Sequence, residues 1–226
     1  MTNKEIVQAN KLSAAYYRER RDAADPSVRV GWRDSQAQHQ RFAQLIKIVR
    51  HSAHEPFSIA DIGCGLGDFA QFLKLSGYSN VQYYGFDQNE EILAEAIEAN
   101  RTEHGISFAP VRDLKSLGRF DYAVASGIFS GKFDTPDASW IAHITSVLED
   151  IDCLSRCGFA FNMLTVYSDA EKMQPYLFYG DPGFFFDLCV QRFARNVAVL
   201  QDYDEFDFTV LVRKSSEAMQ PRRVTL

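Results

Sequence analysis

Two carboxylates and three glycines are the residues of this 226-residue chain best placed to do chemistry. Asp61 closes an apolar run that begins Phe57, Ile59, Ala60, and Gly63, Gly65 and Gly67 follow at alternate positions. Asp68-Phe69-Ala70-Gln71-Phe72-Leu73 then switches to helical spacing, with Gly77 as its stop. Three glycines in five positions suit a backbone that turns sharply and lies close against something, where any side chain would block the approach. The helix N-terminus beyond offers free N–H groups. The dinucleotide fingerprint G-x-G-x-x-G needs its third glycine where Asp68 stands, which disfavours a nicotinamide oxidoreductase. Acids at both ends of the loop would repel a pyrophosphate but not a ligand that carries an ammonium group. The bland alternative is a glycine turn with no ligand.

A second strand, Val81 to Asp87, ends in an acid 20 residues after Gly67. Open parallel sheets bind ligands at the carboxyl ends of their strands, where an acid commonly holds ribose hydroxyls. Asp87 also suits the N-cap of a helix from Glu90 to Asn100. Together the D-x-G-x-G-x-G run and Asp87 resemble motifs I and II of the class I S-adenosylmethionine (SAM)-dependent methyltransferases. The resemblance implies an α/β, Rossmann-like fold whose seven-stranded, mostly parallel sheet ends in an antiparallel hairpin. It also implies SAM as cofactor. Gly63, Cys64, Gly65 and Gly67 would pack on its methionine portion, Asp61 would hold the amino group and Asp87 the ribose. Gln88 and, after a third strand at Ile106–Ala109, Asp113 would neighbour the adenine. Ser126 and Gly127, at the end of a fourth strand from Phe120, would face the transferred methyl group.

A narrower likeness runs through residues 124–129, 158–165 and 195–200, to small bacterial methyltransferases of unassigned acceptor. That group shares Trp32 and the Arg41-Phe42 pair. Residues 1–54 are expected to form an N-terminal helical cap on a SAM-binding domain over 55–226. The cap has one helix over 3–22, a break at Pro26 and Gly31, and a second helix after Asp34. Tyr17, Trp32, Arg41 and Phe129 are candidates for the acceptor side or lid, with ordinary hairpin packing as the alternative. Tyr167, Tyr179 and Asp181, in the aromatic segment after strand five, are candidates for catalysis, although Asp181-Pro182 also reads as a helix cap.

The remaining elements follow from periodicity. A helix from Asp137 to Arg156 carries Trp140, Ile144, Val147, Leu148, Ile151 and Leu154 inward and places His143 on its solvated face. Strand five begins at Gly158, and its Asn162 is either satisfied by backbone or placed at the cleft. Core packing accounts for Phe184, Phe185 and Phe186. Val197–Leu200 and Phe206–Val212 form the closing hairpin, and Ser215 to Leu226 reads as a tail.

A net charge of −6 without a basic stripe argues against nucleic acid. No apolar run is long enough to span a membrane, and Met1-Thr2-Asn3-Lys4-Glu5 is no signal peptide, which points to the cytoplasm. Cys64, Cys153, Cys157 and Cys189 are expected to be reduced and mostly buried, with no metal site. The reading is a SAM-dependent methyltransferase acting at oxygen or nitrogen of a small molecule. The alternatives are a SAM-binding module without turnover and a protein side-chain methyltransferase. An aminopropyltransferase lacks support, since Phe129-Ser130-Gly131-Lys132 stands where its acidic motif would be.

Overall fold

The computed structural model describes Leu12, Ala15, residues 18–20 and residues 22–215. Of the helix expected over 3–22, Leu12, Ala15, Arg18 and Glu19 are described, as helix. Arg20 and Asp22 are described as turn, while Tyr17, the other residues of that segment and residues 216–226 of the expected tail lie outside the described residues.

A short helix α1 (Pro26–Arg29) and a longer α2 (Ser35–Leu45) precede the first strand, β1 (Phe57–Ile62). Asp34 caps α2 by accepting from the Ala37 N–H at 2.7 Å. There follow α3 (Asp68–Leu75), β2 (Val81–Asp87), α4 (Glu90–Ala99), β3 (Ile106–Pro110) and β4 (Phe120–Ala125). The chain closes with α5 (Asp137–Leu154), β5 (Ser155–Leu164), α6 (Pro182–Arg192), β6 (Asn196–Leu200) and β7 (Asp207–Arg213).

Among the described residues the strands form one seven-stranded sheet in the order β3-β2-β1-β4-β5-β7-β6. Pairing is parallel up to β5, and β7 is antiparallel to both neighbours. The central strands read as near-continuous apolar runs because helices cover both faces. One cluster joins Ile144, Leu148, Phe159, Phe161 and Phe185; the other joins Phe42, Leu45, Ile48, Phe69, Leu73, Tyr83 and Tyr122. The later part of the expected cap, α2 and the turn after it, is therefore a wall of the core. Strand order reverses between β1 and β4, so the exits of those two strands part and leave a crevice at their carboxyl ends.

Several expectations are corrected. Helix α5 stops at Leu154 and β5 starts at Ser155, because Ser155 already pairs with Phe120 and its carbonyl accepts from Lys214 at 2.7 Å. Gly158 lies inside that strand, since a Cβ there would sit 2.3 Å from the Val212 carbonyl oxygen. Asn89, not Asp87, caps α4, accepting from the Glu91 and Ile92 N–H groups. Of the three phenylalanines only Phe185 is buried, while Phe184 and Phe186 are exposed. Successive helical residues turn about 100° each, so three in a row cannot all face inward. Cys64 and Cys189 are buried, Cys157 is half-buried and Cys153 is exposed; all four are unpaired. No helix of the described residues is long and apolar enough to cross a membrane.

Candidate active site

A cavity of about 460 Å³ opens at the carboxyl ends of β1, β2 and β4. Its floor is the glycine loop. The N–H groups of Gly63 and Cys64 both donate to the Phe86 carbonyl, at 2.7 and 3.1 Å, which ties the loop to β2. Gly63, Gly65 and Gly67 all have positive φ, where a side chain is strained. A Cβ on Gly63 would lie 2.3 Å from Ile128, and one on Gly67 2.6 Å from the Phe108 ring. Gly63, Cys64 and Gly65 line the cavity; Gly67 does not, and its smallness admits Phe108.

Both motif acids reach the cavity wall. Asp61 is 3% exposed and accepts a 2.6 Å hydrogen bond from the Tyr83 hydroxyl. Burial pushes its carboxyl up to about 7, against the pull of the Tyr83 bond, and the negative charges of Asp87 and Asp68 add to the rise. Asp87 accepts from the Gly65 N–H at 3.0 Å and from the Asn89 N–H at 2.8 Å. Burial raises Asp87 as well, opposed by those same bonds. Asp68, beside them, takes a 3.0 Å bond from the Gln38 amide. A buried carboxylate held by a single neutral hydroxyl lacks a cation, and a ligand ammonium group would supply one. The residues thus fit SAM, whose amino group Asp61 would hold and whose ribose Asp87 would hold.

Ser126 and Gly127 line the cavity at the end of β4. The Asn162 side chain accepts from the Gly127 N–H and donates to the Ser126 hydroxyl, so this buried polar residue serves the cleft. Above Gly127 lies Trp32, whose ring would be 2.8 Å from a Cβ at that position. The Arg41 guanidinium sits 4.8 Å over the Trp32 ring. Arg41 is buried and pairs with Asp207 and with Glu205 at 3.1 Å, while donating to the Ala37 carbonyl at 2.8 Å. Burial raises the Asp207 carboxyl, with Arg41 opposing. Gln88 lines the cavity, as do Val111, Arg112 and Leu114. Asp113 does not line the cavity; its carboxylate accepts from the Lys115 N–H at 3.0 Å and caps a single turn.

Phe129, Phe133, Trp140, Val147, Tyr176 and Leu177 wall the opposite end. The Phe133 N–H donates to the Tyr176 carbonyl and the Phe178 N–H to the Ser130 carbonyl, both at 2.8 Å. Phe133 is held at φ +49°, unusual for a bulky residue, with its ring stacked 6.3 Å from that of Tyr176. His143 lines the same end, contrary to the solvated position expected from sequence. About 60° round the helix from Trp140 and 40° from Val147, it flanks the apolar stripe. That angle was available in the sequence. The catalytic candidates from the aromatic segment are not brought together. Tyr167 is 72% exposed, the Tyr179 hydroxyl accepts from the Gln174 N–H at 2.9 Å, and Asp181 caps α6; none lines the cavity.

Fold and site define a Rossmann-like methyltransferase. No family model matches the chain. It is 42% identical over 165 residues to the Mycobacterium tuberculosis (strain ATCC 25618 / H37Rv) protein named "Putative methyltransferase Rv1506c", covering 73% of this chain and 98% of that one. Among solved structures it resembles magnesium protoporphyrin IX methyltransferase from Synechocystis PCC 6803 with bound S-adenosylhomocysteine (SAH), at TM-score 0.59 and 17% identity over 94% and 100% of the two chains. It also resembles a SAM-dependent methyltransferase from Aquifex aeolicus, at TM-score 0.56 and 14% identity over 86% and 96%. The chain belongs to the class I SAM-dependent methyltransferases. It is an enzyme, and SAM is its cofactor.

Proposed function

We propose that the enzyme methylates oxygen or nitrogen of a small, largely apolar molecule, in the cytoplasm, and that its acceptor is neither nucleic acid nor lipid. The observation that carries this is the continuity of one cavity from the acidic, glycine-lined end to the aromatic end at Phe133 and Tyr176. Pockets of this size, mostly apolar with a few polar groups, suit small ligands. Four unpaired cysteines fit a reducing compartment, and a net charge of −6 fits no polyanion.

When bound, SAM supplies an electrophilic methyl carbon on a sulfonium. The protein's task is to align acceptor and methyl group and to exclude water. Asp61 would hold the ammonium group and Asp87 the ribose hydroxyls, with Ser126 and Gly127 at the reacting end of the cavity. Trp32, pressed on Gly127 and covered by Arg41, closes the roof. The aromatic end orients the acceptor.

The test is transfer of labelled methyl from SAM into fractionated cell extract. Label in the low-mass soluble fraction supports the reading. Label mainly in RNA, DNA or lipid overturns it, and label in protein favours a side-chain acceptor.

A further inference from the structure

We propose that His143 is the general base of the reaction, taking the proton from a hydroxyl group on a flat, largely apolar acceptor; this rests on the small-molecule reading above. The ring lies on the cavity wall beside Trp140, with centroids 5.1 Å apart, and no hydrogen bond among the described residues engages its nitrogens. The Trp140 indole N–H donates to the Phe129 carbonyl at 2.9 Å, three residues beyond Ser126. The helical turn that carries His143 is thereby tied to the loop facing the transferred methyl group.

The other titratable or charged side chains on this cavity are otherwise engaged. Arg33, Arg41 and Arg112 have no lone pair to accept a proton. Asp61 is committed to Tyr83, and Asp87 to Gly65 and Asn89. Burial raises the Cys64 thiol far above its usual range. Tyr176 is a wall, stacked on Phe133. Among the described residues, His143 alone combines a free acceptor nitrogen with the aromatic end. Burial holds its imidazole below the usual 6.5, so it is neutral near pH 7 and able to accept.

The balance favours a hydroxyl acceptor. The oxygen forms a bond to the methyl carbon as the carbon–sulfur bond breaks, and that bond's electron pair stays with sulfur. The oxygen must shed its proton to leave a neutral ether. That proton goes to a His143 ring nitrogen, and the O–H electron pair remains on oxygen. An amine acceptor can keep its positive charge through the transfer and has less need of a base. The stacked Phe133–Tyr176 pair and Trp140 suit a flat acceptor such as a phenol or enol.

The experiment compares wild type with His143→Gln and His143→Asn, using labelled SAM and the low-mass soluble fraction of extract. Rates are followed from about pH 5 to 8, with SAH affinity by calorimetry and imidazole titration by NMR. Both variants should lose at least about 100-fold in rate while SAH affinity stays within about twofold. The wild-type rate should fall on the acid side with the midpoint that NMR assigns to His143, and this limb should vanish in the variants. A variant rate within about threefold of wild type, or an unchanged acid limb, overturns the proposal and leaves the small-molecule reading intact. Loss of SAH affinity in both variants makes His143 a packing residue and also overturns it. If wild type labels nothing of low mass, both readings fall.

Discussion

Asn162 on β5 and Gly127 beyond β4 are joined by a 2.7 Å hydrogen bond from the Gly127 backbone N–H to the Asn162 Oδ1. Asn162 is 1% exposed, in a run otherwise apolar from Gly158 to Leu164, and its amide also reaches the Ser126 hydroxyl at 3.2 Å. One buried amide thus sets the position of two residues that line the cavity at the exit of β4.

Asn162→Leu keeps the branched shape of the side chain but leaves the Gly127 N–H without its acceptor. The expected cost is about 1–3 kcal/mol of stability, read from the urea midpoint. Rate should fall more than SAH affinity, because on the proposed reading the change lies at the reacting end of the cavity.

Asp61 should make both stability and cofactor binding depend on pH. Its folded-state pKa is raised from 3.8 to about 7, so the native protein keeps a proton that the unfolded chain releases. The associated stability is fully present below about pH 4 and is lost as pH rises through 7. Ligand-free Asp61→Asn should therefore match wild type near pH 4 and exceed it at pH 8 by up to about 4 kcal/mol in denaturant titrations. SAH binding should run the other way. Wild-type affinity should rise through pH 7 as the carboxylate ionises to meet the ammonium group, whereas the variant should bind weakly with no such rise.

Arg41→Met would strand the buried Asp207 carboxylate, leave Glu205 with Arg33 as its remaining partner, and remove the support of Trp32. Breaking such a pair costs about 3–5 kcal/mol. The urea midpoint should fall accordingly, and Trp32 fluorescence should shift toward longer wavelength. A small loss of stability with unaltered fluorescence would detach Arg41 from the roof of the cleft.

Asp87→Ala removes the anchor of the Gly65 N–H and, on the proposed reading, a charge-assisted contact to the ribose. SAH affinity should weaken at least about tenfold in calorimetry. Asp113→Ala should leave it unchanged, since that carboxylate only caps a turn outside the cavity. Equal losses in the two variants would restore Asp113 to the adenine side.

What the sequence determined by itself was local. Glycines at alternate positions after a buried strand, acids at two strand ends and caps at Asp34 and Asp181 act over a few residues, and each stands where its spacing puts it. The cofactor end is built almost wholly from such local signals. The acceptor end is not. Phe133 meets Tyr176 across 43 residues of chain, and Arg41 meets Asp207 from 166 residues away. No periodicity encodes which distant partner a ring or a guanidinium will find. His143 lay at a helical angle that solvent or cavity could equally have covered. Tyr167 and Tyr179 had suitable chemistry but emerge from the sheet facing elsewhere. Side-chain type and spacing act within a few turns of the chain, whereas the aromatic wall and the roof exist only once β4, β5 and β7 have paired and brought their loops together.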